Sequence, residues 1–133
     1  MKTRFFDHID LRVKDMKRAQ RFYEQVLPAL GFTEPGDDGV WFSIYAPGDG
    51  KPPFFGITED PKHQANGTRI SFWADTEQEV DEVAKVVRQA GGKVLEGPEV
   101  CEDYTPRYYA FFFEDPDGNK LEICCRTLVA NGG

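Results

Sequence analysis

A pattern of residue types recurs along this chain at a fixed offset, and a tandem repeat limits the possible folds more than any single motif does. A shift of 61 residues lays His8 on Arg69, Ile9 on Ile70, Phe22 on Val83, Val26 on Val87 and Gly31 on Gly92. A shift of 68 lays the turn at Pro47 to Gly50 over Asp115 to Gly118. Past that turn, two further residues in the first copy bring Gly56 opposite Glu122. Each copy is therefore one supersecondary unit of about half the chain.

Local periodicity gives the content of the unit. Phe5 to Val13 alternates apolar Ile9, Leu11 and Val13 with polar His8, Asp10 and Arg12, a strand with two unlike faces. Asp15 reads as an N-cap. Ala19, Phe22, Tyr23, Val26, Leu27 and Leu30 then recur at helical spacing, Pro28 disturbs the last turn and Gly31 ends it. Short strands follow at Phe32 to Glu34, Val40 to Ala46 and Phe54 to Thr58. They are separated by turns at Pro35 to Gly39 and Pro47 to Pro53. The order restarts with the strand Thr68 to Ala74. Thr76 and Glu79 form a capping box, and a helical stripe runs from Val80 to Ala90 before Gly91 and Gly92. Strands at Lys93 to Glu96, Tyr108 to Phe113 and Lys120 to Arg126 complete the copy, with a turn at Asp115 to Asn119. The class is α+β, two tandem βαβββ modules. They span 1–60 and 68–128 of one domain, with a linker over 61–67 and a tail over 129–133.

The chain has 133 residues, enough for one domain with its own core, and 40% are hydrophobic. A net charge of −7 repels phosphate backbones, which argues against nucleic-acid binding. No apolar run has the ~18–20 residues of a membrane span, and no signal peptide is read at the start. Cys101, Cys124 and Cys125 form no CxxC spacing and read as reduced thiols of a cytoplasmic protein. Phosphate loops, zinc-knuckle spacings and nucleophile elbows are missing from the sequence.

The runs DHIDLRVKDMKRAQRFYEQVLPALGF, GTRISFWAD and YYAFFFEDPDGNKLEI together resemble the vicinal oxygen chelate superfamily. That group holds glyoxalase I, extradiol dioxygenases, fosfomycin-resistance enzymes and bleomycin-binding proteins. The resemblance covers nearly the whole chain. It implies a curled mixed sheet around a cup, with the helices outside. It also implies that His8, Asp10, Arg12, Phe54, Gly56, Thr58, Arg69, Ser71, Trp73, Lys120, Glu122 and Cys124 face the cup, while the loop from Val100 to Arg107 closes over one end. A homodimer is implied too, with the modules paired within one chain or swapped between two.

In metal-dependent relatives the resemblance places ligands at four equivalent strand positions. Here these carry His8, Gly56, Arg69 and Glu122. His8 and Glu122 can ligate a metal; Gly56 has no side chain and a guanidinium is never a ligand. Arg69 would also repel a divalent cation by several kcal/mol even at an effective dielectric of ~20. The other histidine, His63, lies in the linker, and no histidine stands near Thr105, where many relatives carry one. The expectation is no resident cofactor, with a divalent metal held by His8 and Glu122 as the alternative. Arg69 is expected to replace the metal electrostatically and pair with Glu122, with Asp10 as a further partner.

Each of these residues also has a plainer reading. His8 can be a hydrogen-bonded strand histidine, Glu122 a solvated carboxylate, and Arg12 with Arg69 an ion-pair network. Trp73, Tyr104, Tyr108 and Tyr109 can be core aromatics, and Cys124 a small filler. Three functions stay open. One is a catalytically degenerate protein binding a small organic ligand through His8, Asp10, Arg12, Arg69, Trp73 and Tyr108, as antibiotic-sequestering relatives do. The second is a metal-dependent lyase or dioxygenase with Glu122 as its catalytic residue. The third is a structural module whose cup is filled by its own side chains.

Overall fold

The computed structural model describes residues 3–38, 42–48, 53–102 and 107–126. It divides into two compact units, Met1–Gln64 and Ala65–Gly133, each with one helix and a four-stranded mixed sheet. Module 1 contains β1 (His8–Val13), α1 (Met16–Ala29), β2 (Glu34–Asp38), β3 (Phe42–Ala46) and β4 (Phe54–Glu59). Module 2 contains β5 (Arg69–Trp73), α2 (Glu77–Gln89), β6 (Lys93–Val100), β7 (Tyr109–Glu114) and β8 (Lys120–Cys125). Strand order is β1-β4-β3-β2 in one sheet and β5-β8-β7-β6 in the other. In both, first and last strands run parallel and the remaining neighbours antiparallel. The sheets are open, and the two-βαβββ α+β class stands.

Each helix buries one stripe against one face of its sheet. In module 1, Phe22, Tyr23, Val26 and Leu27 are buried, as are Val13, Phe55 and Ile57 of the sheet, and the Tyr23 and Phe55 rings lie 5.8 Å apart. In module 2, Val80, Val83, Ala84 and Val87 supply the stripe, with Phe111, Phe113, Leu121 and Ile123 on the sheet. Complete burial of one such side chain stabilises the fold by about 1.5–3 kcal/mol. The Tyr109 hydroxyl donates to the Asp81 carboxylate of α2 at 2.6 Å and ties that helix to β7.

The helix ends follow their sequence signals with two refinements. Asp15 and Thr76 accept from the backbone N–H groups of Arg18 and Glu79. The Glu79 carboxylate reaches back to the Asp75 N–H at 2.7 Å, one residue before the N-cap. Gly31 and Gly91 both take positive φ just past the helices, at 98° and 85°. The structural partner of Gly31 is therefore Gly91 rather than Gly92, because α2 is one residue shorter than α1.

Two strands differ from expectation. Glu34 to Asp38, read as the end of a strand from Phe32 followed by a turn, is all strand, and Phe32 and Thr33 lie outside it. β2 lies at a sheet edge, where Pro35 needs no inward donor, and a Cβ at Gly36 would press to 3.2 Å from the Ile44 side chain. β6 runs on through Gly97 and Pro98 to Val100 instead of stopping at Glu96. It too is an edge strand, with register shifts that absorb both residues. Tyr104, Thr105 and the tail over 129–133 lie outside the described residues.

Gly97 combines a φ of 86° with a backbone approach so close that an added Cβ would lie 2.4 Å from the Ala110 carbonyl oxygen. Gly97→Ala is expected to cost about 1–3 kcal/mol in urea unfolding. Gly67→Ala, where nothing lies within 4 Å, is expected to leave the urea midpoint unchanged or slightly raised.

Candidate functional site

The face of each sheet opposite its helix carries the polar residues, and the parallel register fixes how they line up. In module 1, His8 pairs with Phe54, Asp10 with Gly56 and Arg12 with Thr58. In module 2, Arg69 pairs with Lys120, Ser71 with Glu122 and Trp73 with Cys124. Directly paired residues share a face, and so do residues two apart on one strand. Gly56 and Glu122 therefore occupy matching places, as the repeat requires. β3 adds Ile44 beside Gly56, and β7 adds Phe112 beside Glu122.

Module 1 has a cavity of about 300 Å³ on this face, lined by His8, Asp10, Ile44, Phe54, Gly56 and Thr58 together with Ser43 and Ile57. The His8 imidazole stacks on the Phe54 ring at 4.5 Å and 4° between planes. Its Nδ1 lies 2.7 Å from the Asp7 carboxylate. A Cβ at Gly56 would meet the Phe54 ring at 3.5 Å and the Ile9 carbonyl oxygen at 3.4 Å, ordinary contact distances. Gly56 is thus a floor beside the phenyl ring, and the backbone there would admit a side chain. Asp10 accepts from the Thr58 hydroxyl at 2.9 Å and from Arg12 at 3.3 Å. The Asp10–Arg12 part of the expected ion-pair network forms.

Module 2 differs in kind. Glu122 is only 4% exposed, so the solvated-carboxylate reading fails. Its Oε2 accepts from the Tyr108 hydroxyl at 2.5 Å. The phenol is pushed well above the ordinary tyrosine range, first by burial, then by its hydrogen bonds with Cys124 and Glu122 and by the carboxylate charge. The Ser71 hydroxyl and the Cys124 thiol lie 3.5 Å apart. Cys124 also packs with Cys101, Ala110 and Phe112 in a small cluster, with Tyr108 against it.

Arg69 does not make the expected pair with Glu122. Its guanidinium lies 4.8 Å from the centre of the Phe112 ring, and among the described residues of its module no carboxylate is within ion-pair distance. Phe112 stands directly across from Glu122 and offers its ring to the cation. Trp73 is not core either. It is 57% exposed, its indole N–H donates to Asp75 at 2.9 Å, and the Arg126 guanidinium lies 5.9 Å from its ring centre. Trp73, Tyr108, Ser71, Cys124 and Arg126 border a second cavity of about 300 Å³. Arg126 was not singled out from the sequence, although it stands two residues beyond Cys124 and hence on the same face. Among the described residues, no three His, Cys, Asp or Glu side chains are grouped as a metal site requires.

Residues 5–123 match the model of the Glyoxalase/Bleomycin resistance protein/Dioxygenase superfamily. Virulence protein STM3117 of Salmonella typhimurium is 28% identical over 130 residues, which cover 88% of this chain and 81% of that protein. A glyoxalase/bleomycin resistance protein from Albidiferax ferrireducens has a similar structure, with a TM-score of 0.75 and 28% identity over 92% of this chain and 98% of its own. The fosfomycin resistance protein FosX of Mesorhizobium loti shares the fold at a TM-score of 0.69 and 20% identity, over 96% of each chain.

Tyr108→Phe leaves a buried carboxylate without its donor and is expected to cost about 1–3 kcal/mol in chemical unfolding. Alkaline titration followed by phenolate absorbance should show Tyr108 and Tyr109 ionising late. Tyr109, hydrogen-bonded to Asp81, is pushed up to about 12, and Tyr108 titrates later still. Both folded-state values lie above the unfolded one. The stability they contribute is therefore complete below about pH 10. The Tyr109 share is lost as pH rises to about 12.

Proposed function

The chain belongs to the glyoxalase/bleomycin resistance protein/dioxygenase superfamily, and from that premise we propose that it binds a small organic ligand without a resident metal. The family implies a divalent cation, and the residues here do not fit one. A divalent metal takes three or four protein donors. Of the four strand positions, Gly56 has no side chain and Arg69 is a permanent cation. That leaves His8 and Glu122, two donors where a divalent metal takes three or four.

The observation that carries the reading is Arg69, a fixed positive charge one register step from the buried Glu122 on the same face. Replacing a metal donor by a guanidinium reverses the local preference from binding a cation to repelling it. The cavity over Gly56 supports the binding half of the proposal. It sets polar groups on His8, Asp10 and Thr58 around apolar Ile44 and Phe54, the mixture that orients a small molecule. The residues of this reading are His8, Asp10, Arg12, Arg69, Trp73 and Tyr108. A homodimer belongs to the same proposal, since each sheet has two edge strands available for pairing. Analytical ultracentrifugation checks it by a mass near twice the 15.1 kDa of the chain.

Zinc titration by calorimetry tests the metal half. The unaltered protein should bind weakly or not at all. Gly56→Glu adds a carboxylate to the face that carries His8, and Arg69→His adds an imidazole to the face that carries Glu122. The double variant should bind zinc at least about tenfold more tightly, a gain of about 1.4 kcal/mol. Tight zinc binding by the unaltered protein would overturn the reading in favour of a metal-dependent lyase or dioxygenase.

A further inference from the structure

We infer that module 2 holds a slot for a planar aromatic acid, with Trp73 and Tyr108 as its walls and Arg126 as its anion anchor. The inference rests on the ligand-binding reading and names the chemical class that this part of the protein takes.

The slot exists because a short side chain, Cys124, stands beside Trp73 in one row of the sheet. Cys124 is paired with Trp73 on one side and with Ala110 on the other. In the neighbouring row the same strands carry Ser71, Glu122 and Phe112, and the ring of Phe112 covers that part of the face. Ala110 is buried with Cys101, Phe112 and Tyr108, and Cys124 is too short to fill the space on its Trp73 side. Tyr108, two residues before Ala110, borders the gap on the β7 side, and Trp73 borders it on the β5 side. The result is the cavity of about 300 Å³, in the lower range of small-molecule sites.

Its walls are fixed in advance. The Trp73 indole is pinned by its bond to Asp75 yet leaves more than half its surface exposed, so it is held in place without being packed. The Tyr108 hydroxyl is committed to Glu122, which leaves its ring as the part a ligand meets. Rings held this way stack on a ligand at little entropic cost.

Charge selects the ligand further. Arg126 borders the cavity over the indole, and among the described residues it makes no ion pair. A guanidinium beside an aromatic wall suits a carboxylate attached to an aromatic ring, because it binds both oxygens at once. The Asp75 carboxylate beside the indole accepts its N–H, and the Glu122 carboxylate accepts the Tyr108 hydroxyl. The thiol and hydroxyl of Cys124 and Ser71 add only weak polarity at the base. An aromatic amine would find no free carboxylate among the residues bordering the cavity.

Calorimetry on the full chain with 2-naphthoate, 2-naphthylmethanol and 2-naphthylmethylamine tests this. The acid should bind at least about tenfold more tightly than the alcohol or the amine. Arg126→Gln should abolish that preference and leave alcohol binding unchanged. Trp73→Leu should weaken acid and alcohol together. Both altered residues are exposed, and a thermal melt confirms folding of each variant. Equal binding of the three probes, no binding of any, or an acid preference that survives Arg126→Gln would overturn the slot. The zinc titration separates this failure from that of the broader reading. Tight zinc binding defeats the metal-free ligand site, whereas an acid preference that depends on Arg126 would still support the slot.

Discussion

In each module the parallel ladder between first and last strand sets the position of every other residue. Two parallel neighbours cannot be joined by a tight turn, so the chain must leave the sheet and return. Here it leaves through a helix, which covers one face. Two further antiparallel strands then bring the chain back to the first strand. Side-chain alternation does the rest. Once Val13, Ile57, Leu121 and Ile123 are committed to the helix face, His8, Asp10, Gly56, Arg69, Ser71 and Glu122 have only the opposite face to occupy.

That one scaffold, used twice, now carries two different chemistries. At matching places stand Asp10 with Gly56 and Ser71 with Glu122. The absent side chain in module 1 leaves a floor beside the Phe54 ring, on which His8 stacks. The retained carboxylate in module 2 is buried, and a buried charge needs a partner. Tyr108 supplies it, and Arg69 rests on Phe112 instead. Opposite charges on neighbouring strands do not pair automatically. An aromatic ring directly across the ladder competes for the guanidinium, and a phenol competes for the carboxylate.

Much of the architecture was legible in the sequence. The period-two runs at His8 to Val13 and Arg69 to Trp73, the helical stripes and the two caps all have local causes. The offset between Gly56 and Glu122 could be read by counting. The edge strands β2 and β6 could not, because Pro35-Gly36 and Gly97-Pro98 are turn signals unless the strand has a free edge to tolerate them. The site was legible as a set of faces and not as a set of partners. Tyr108 was named as a core aromatic or a ligand-binding residue and not as the partner of Glu122, since that bond depends on how a tyrosine before β7 reaches along β8. Arg126 could have been found by extending the alternation of β8 two residues past Cys124.

The claim at the centre of this account is that the position held by Arg69 has changed the site from one that binds a cation to one that does not. Elemental mass spectrometry of tag-free protein tests it most directly, before and after incubation with zinc, nickel, manganese and iron(II). The account predicts far less than one metal ion per chain under every condition. One equivalent of any of these metals, retained through gel filtration, would contradict it.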